Sequence, residues 1–364
     1  MFAKEFIQLK RDRVTFATMI VVPLMQLLLF GFAINTNPRH LPTAVLLQEQ
    51  SDIGRGIVAA LQNTGYFKVT HIARTAAELD RWIKSGEVLF GIEIPANFSR
   101  SVRRGENPSM LVVADASDPV AAGTALGALD GVVSTALRGL HAIPDERGVA
   151  PPFTIIAQRR YNPAAVTALN IVPGLLGTIL TMTMLIFTSL SVTREVERGT
   201  MESLLSMPID PLQIMLGKIT PYIVVGFAQA AIILVAGVTI FSVPIEGSLA
   251  LLVAVTILFV TATLSVGYTF STIARNQLQA IQMSMMFFLP NILLSGFMFP
   301  FSGMPGWAQA IGQMLPLTHY LRTVRGIMLK GAETSDLTTE IIWLAVLTLA
   351  AMAIAVTRFR RTLD

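Results

Sequence analysis

The sequence predicts an α-helical polytopic membrane protein with six transmembrane helices and an α/β domain inserted after the first. Three observations carry this. The chain of 364 residues is 53% hydrophobic and only 14% charged, with a mean hydropathy of +0.62. Its apolar residues gather in runs long enough to cross a bilayer. Residues 35–168, between the first two runs, have ordinary polarity, with thirteen basic and twelve acidic residues.

About 20 helical residues span a hydrocarbon core, and backbone groups there must pair internally, so each run is read as a helix. The first covers residues 14–34 without a charge. It is longer than the apolar part of a signal peptide, so it is read as a retained span. The others cover 169–192, 219–243, 249–273, 280–299 and 341–356, followed by a short tail at 357–364. Basic residues near the span ends set orientation. Lys4, Lys10, Arg11, Arg13, Arg194, Arg198, Lys218, Arg275, Arg358, Arg360 and Arg361 lie on one side. Arg322, Arg325 and Lys330 lie on the other, and eleven against three puts both termini in the cytoplasm.

By this topology residues 35–168 are extracytoplasmic, and about 130 residues can build their own core. Strands are expected at 44–47, 66–69, 88–94 and 110–113, and helices at 53–62, 76–85 and 120–140. These alternate in the manner of an α/β domain. Asp115 and Asp118 are read as a turn ahead of Pro119.

Several function classes drop out. Cysteine is absent, which excludes disulfides, thiolate metal sites and thiol catalysis. His40, His71, His141 and His319 show no metal-ligand spacing, so no metal and no catalytic set is expected. The sequence pI near 9.6 reflects basic residues beside apolar runs rather than a nucleic-acid partner. No phosphate-binding loop is present, so ATP hydrolysis would need a separate polypeptide. No charge lies well inside a span, which argues against an ion-coupled carrier.

Uncharged polar and sulfur side chains instead recur in two spans. The second holds Thr178, Thr181, Met182, Thr183 and Ser189, and the fifth holds Gln282, Ser284, Met286, Asn291 and Ser295. Such residues can be packing glue between helices. As a group, Thr178, Thr181, Met182, Gln282, Met286 and Asn291 are also candidates for a soft translocation path, since methionine adapts to varied ligands.

The polar segment 193–212, TREVERGTMESLLSMPIDPL, separates the second and third spans. Its core runs Glu197-Arg198-Gly199-Thr200-Met201-Glu202-Ser203-Leu204-Leu205-Ser206-Met207-Pro208. Thr200 suits an N-cap, and Glu202 would face the positive end of the short helix that follows. This string resembles the coupling helix of ABC-2 type permeases. The resemblance extends to residues 1–13 with Pro23, similar to a cytoplasmic elbow and first span, and to Asn162-Pro163 with Val172-Pro173-Gly174-Leu175. Residues 300–340, with Pro316-Leu317-Thr318-His319-Tyr320 and Arg325-Gly326, are similar to the family's outer re-entrant helices.

The resemblance implies an exporter permease in a bacterial inner membrane, paired as a homo- or heterodimer with two ATPase subunits. ATP and Mg would sit on those subunits, and this chain would hold no cofactor. It implies that Glu197, Arg198, Gly199, Thr200, Glu202, Leu204, Leu205 and Pro208 contact the ATPase. A periplasmic membrane-fusion protein is a further implied partner, and the cargo would be drug-like, lipid or otherwise amphipathic. The alternative is a membrane receptor that senses a ligand through residues 35–168. A receptor needs a cytoplasmic output domain, and the longest cytoplasmic stretch by this span count is about 25 residues.

Overall fold

A computed structural model describes residues 38–129, 152–199 and 211–358. The expected elbow, the first span, most of the coupling segment and residues 359–364 lie outside the described residues.

The polar region folds as an α/β unit. Its elements are β1 (Leu41–Leu47), α1 (Asp52–Asn63), β2 (Phe67–Ala73), α2 (Ala76–Ser85), β3 (Phe90–Ile94), α3 (Phe98–Arg103), β4 (Ser109–Asp115), α4 (Pro119–Gly127) and β5 (Thr154–Arg160). The sheet order is β2-β1-β3-β4-β5, parallel except for the β3–β4 pair. Helices α1, α3 and α4 cover one face through Ile57, Leu61, Phe98 and Ala125. Helix α2 covers the other through Leu79 and Ile83. Local chemistry fixes the starts of the helices. Ser51, Thr75 and Asp118 each accept a hydrogen bond from a first-turn amide, as N-caps do.

Two expectations are corrected here. The helix expected over 120–140 is interrupted, since its first piece ends at Gly127 and the chain turns at Ala128 before Leu129 is helical again, and residues 130–151 lie outside the described residues. Strand β5 was not expected. Its sequence TIIAQRR gives little alternation because it is a largely exposed edge strand, with no buried face to impose a period of two.

The apolar region forms α5 (Thr167–Arg198), α6 (Pro211–Thr239), α7 (Leu249–Ile273), α8 (Gln277–Leu294), α9 (Gly306–Gln313), α10 (Pro316–Lys330) and α11 (Thr338–Arg358). Four of these, α5, α6, α7 and α11, are long and apolar enough to cross a membrane. Half of the most apolar stretch of α7 is buried within the chain, against 17% for α6. Helix α7 is therefore central and α6 peripheral. The shared core joins Leu180, Met184, Phe259, Leu264, Tyr320 and Val324. Phe259 stacks on Tyr320 with centroids 4.0 Å apart, and Tyr320 and Thr256 share a 2.9 Å hydrogen bond.

Helix boundaries also depart from expectation. Helix α5 continues six residues past the expected end of the second span, because nothing in Thr193–Arg198 opposes helix and Gly199 ends it at φ +71. At 1.5 Å per residue its 32 residues measure about 48 Å, so its polar end projects beyond an apolar layer of about 30 Å. Helix α6 stops at Thr239 rather than 243, since Ser242 takes φ +52 and Pro244 disfavours helix before it. Helix α8 stops at Leu294 rather than 299, where Gly296 adopts φ +86. Its glutamines, Ser284 and Asn291 also lower its hydropathy, and it is not among the four membrane-length helices.

Candidate functional site

The polar end of α5 is tied to its neighbours residue by residue. The Thr193 amide meets Ser271 Oγ of α7 at 3.0 Å. Lys218 of α6 pairs with Glu195 at 3.2 Å. Glu197 reaches the start of α8, where Gln277 donates its backbone N–H at 2.7 Å and also its side-chain amide. These hydrogen bonds hold the Glu197 carboxyl below its usual range. Asn276 caps the same helix by accepting from the Gln279 amide at 2.9 Å, while Gln279 Oε1 accepts from the Arg275 amide at 3.0 Å. Glu197 thus lies at the positive end of the α8 dipole.

Arg198 is exposed, and the Cβ position of Gly199 is open. Glycine is demanded there by the left-handed φ, not by crowding. The expected polar loop therefore begins as the last turns of a long helix. Thr200, Glu202, Leu204, Leu205 and Pro208 lie outside the described residues.

The six path candidates sit on two helices, α5 and α8, that pack together. Thr181 is fully buried and donates to the Gly177 carbonyl at 2.7 Å, while Thr178 donates to the Gly174 carbonyl at 3.2 Å. Both hydroxyls are thus satisfied by their own helix. Met182 is 41% exposed. Gln282 Oε1 and Asn291 Oδ1 are buried without a hydrogen-bond partner among the described residues, the two path candidates with unspent polar capacity. Sequence reading missed Gln229 of α6, whose Oε1 accepts from Thr183 at 2.8 Å. A single glutamine in an apolar run was the available signal.

A second polar constellation joins the α/β unit to the bundle. Lys330, at the end of α10, donates to the Ile83 carbonyl at 3.3 Å and pairs with Asp115. Both side chains are buried, at 7% and 2% exposure. Lys330 Nζ also lies 5.5 Å from the centre of the Tyr161 ring. Burial, with the Asp115 charge adding to it, pushes the Tyr161 hydroxyl up to about 12. Asp118 accepts from the Val120 and Ala121 amides. Burial pushes its carboxyl up, with the Arg325 charge opposing that.

One step away, Glu340 meets His319 Nδ1 at 2.5 Å and Arg322 at 2.9 Å. His319 Nε2 donates to the Gln313 carbonyl at 2.9 Å. The turn expected at Asp115 and Asp118 is present, but Asp115 does more than close it. An anchor 215 residues distant in sequence left no local signal.

Membrane-length helices cross-tied by polar contacts, with a folded α/β unit docked at one end, define a polytopic helical membrane protein. A family model described as ABC-2 family transporter protein matches residues 13–357, and the chain belongs to that family. It is 31% identical to the probable multidrug ABC transporter permease YbhS of Escherichia coli strain K12, over 99% of this chain and 96% of that protein. The inner membrane transport permease YhhJ of the same strain is also 31% identical, over 88% of this chain and 86% of its own. ABC transporter G family member 20 of Dictyostelium discoideum is 26% identical over 90% of this chain, which covers 45% of that longer protein.

Proposed function

We propose that this chain is the permease subunit of an exporter driven by separate ATPase subunits, which hold the ATP and Mg. It pairs with a second permease, as a homo- or heterodimer, in a bacterial inner membrane. Residues 14–34 and α8 complete a set of six spans, both termini are cytoplasmic, and the α/β unit lies outside. A periplasmic membrane-fusion protein is a partner consistent with that placement. The relatives named as multidrug permeases favour an amphipathic, drug-like or lipid cargo, and membership of a transporter family favours this reading over a receptor.

One observation supports coupling most directly. The segment that resembles a coupling helix begins where α5 ends, and Glu197 in that last turn is hydrogen-bonded to Gln277 of α8. A push on residues 199–210 has a direct polar route into the two helices that carry the path candidates. The test is the permease and its ATPase in proteoliposomes, comparing parent with Glu202→Lys. The variant should stay folded and inserted but lose transport-coupled ATP hydrolysis. Hydrolysis and export at the parent rate would remove the coupling assignment.

A further inference from the structure

Between the α/β unit and the bundle lies a cavity of about 850 Å³. Its rim is built by the segment before β1, the end of α2, the start of α4, and the outer helices α9 and α10. It also touches Ser295 and Gly296, just past α8, and Glu340 in the first turn of α11. It therefore borders the start of a membrane-length helix, α11.

Its charges do not cancel. Six cations line it, Arg39, Lys68, Lys84, Arg322, Arg325 and Lys330, against three carboxylates, Asp115, Asp118 and Glu340. Three of the cations have partners: Lys330 with Asp115, Arg322 with Glu340, and Lys84 with Asp336 at 3.5 Å. The other three form no ion pair within 4.0 Å among the described residues. Arg325 donates to the Gly296 carbonyl at 3.1 Å, yet its Nε is buried with no hydrogen-bond partner among those residues. Asp118 is close enough to act on Arg325 through its charge but is committed to the α4 amides. A buried guanidinium N–H without an acceptor is costly, and guanidinium geometry suits the oxygens of phosphate. Phe301, Met304 and Leu321 supply apolar wall beside these cations.

We infer that this cavity binds a phosphate group carried on an amphiphile, with Arg325, Arg39 and Lys68 facing the anion and Phe301, Met304 and Leu321 facing its apolar part. The site is separate from the α5–α8 path candidates, and the inference does not depend on the direction of transport. If cations and carboxylates served only to dock the α/β unit, each cation would have a carboxylate partner, and half of them do not.

The experiment follows thermal unfolding of the purified full chain in a neutral detergent. The additions are inorganic phosphate, micellar phosphatidylglycerol or micellar phosphatidylcholine. Phosphatidylglycerol should raise Tm by about 3 °C or more at saturation, with phosphatidylcholine less effective. The shift should vanish in an Arg39→Ala, Lys68→Ala double variant, whose mutated side chains are exposed and leave the fold intact. It should persist in Arg74→Ala, Arg81→Ala, which removes equal charge from exposed positions that do not line the cavity. Inorganic phosphate matching the lipid, with the same loss in the first variant, would keep the anion site and identify a free anion as its source. No shift with either anion, or an equal shift in the two double variants, would overturn the proposal.

Discussion

At the scale of residues, Gly267 shows how little room separates α5 from α7. A Cβ there would lie 3.0 Å from the Leu185 carbonyl oxygen and 3.1 Å from Thr188 Cβ. Neither is the loose end of a flexible side chain, so the helices would have to move apart. Overpacking of this kind costs about 1–3 kcal/mol. Gly267→Ala should therefore lower the Tm of the detergent-solubilised chain. Gly217→Ala on α6, where a Cβ meets nothing within 4 Å, should leave Tm unchanged or raise it slightly, because alanine is the better helix former. Equal melting of the two variants would mean that α5 and α7 are not held at this separation. The close approach is invisible in the sequence, where Gly267 is a single interruption of an apolar run.

At the scale of elements, legibility followed local chemistry. Helix α2 matches its expected range of 76–85, and α7 its expected 249–273. Each starts at a side-chain cap, Thr75 or Ser248, that marks its position in the sequence. The ends of α5, α6 and α8 were misjudged because hydropathy reports where a helix enters lipid, not where its hydrogen bonding stops. The contact between Glu197 and Gln277, 80 residues apart, left no trace of that kind. It predicts a double-mutant result in the reconstituted complex. If the two helices move as a unit through this contact, Glu197→Ala should lower transport-coupled ATP hydrolysis, and Gln277→Ala should lower it less, because the residue 277 backbone N–H can still donate to Glu197. The double variant should then be no worse than Glu197→Ala alone, since partners in one interaction are not additive. Factors that multiply in full would make the two residues independent.

At the scale of the whole molecule, the proposed orientation rests on a charge count and can be read out chemically. In the six-span reading eleven basic residues flank one set of span ends and three the other, and the positive-inside rule predicts that the richer side faces the cytoplasm. In the proposed topology, with both termini inside and six spans, the α/β unit faces outward and the last turn of α5 inward. The sequence contains no cysteine, so single cysteines can be introduced without a background thiol. Arg104 follows α3 in the α/β unit and Arg198 ends α5, and both are exposed. In intact inner-membrane spheroplasts, a membrane-impermeant maleimide should label Arg104→Cys at once. Arg198→Cys should react only after the membrane is permeabilised. Labelling of position 198 in sealed spheroplasts, or protection of position 104, would invert the orientation. It would also move the α/β unit, and the cavity beneath it, to the same side as the ATPase.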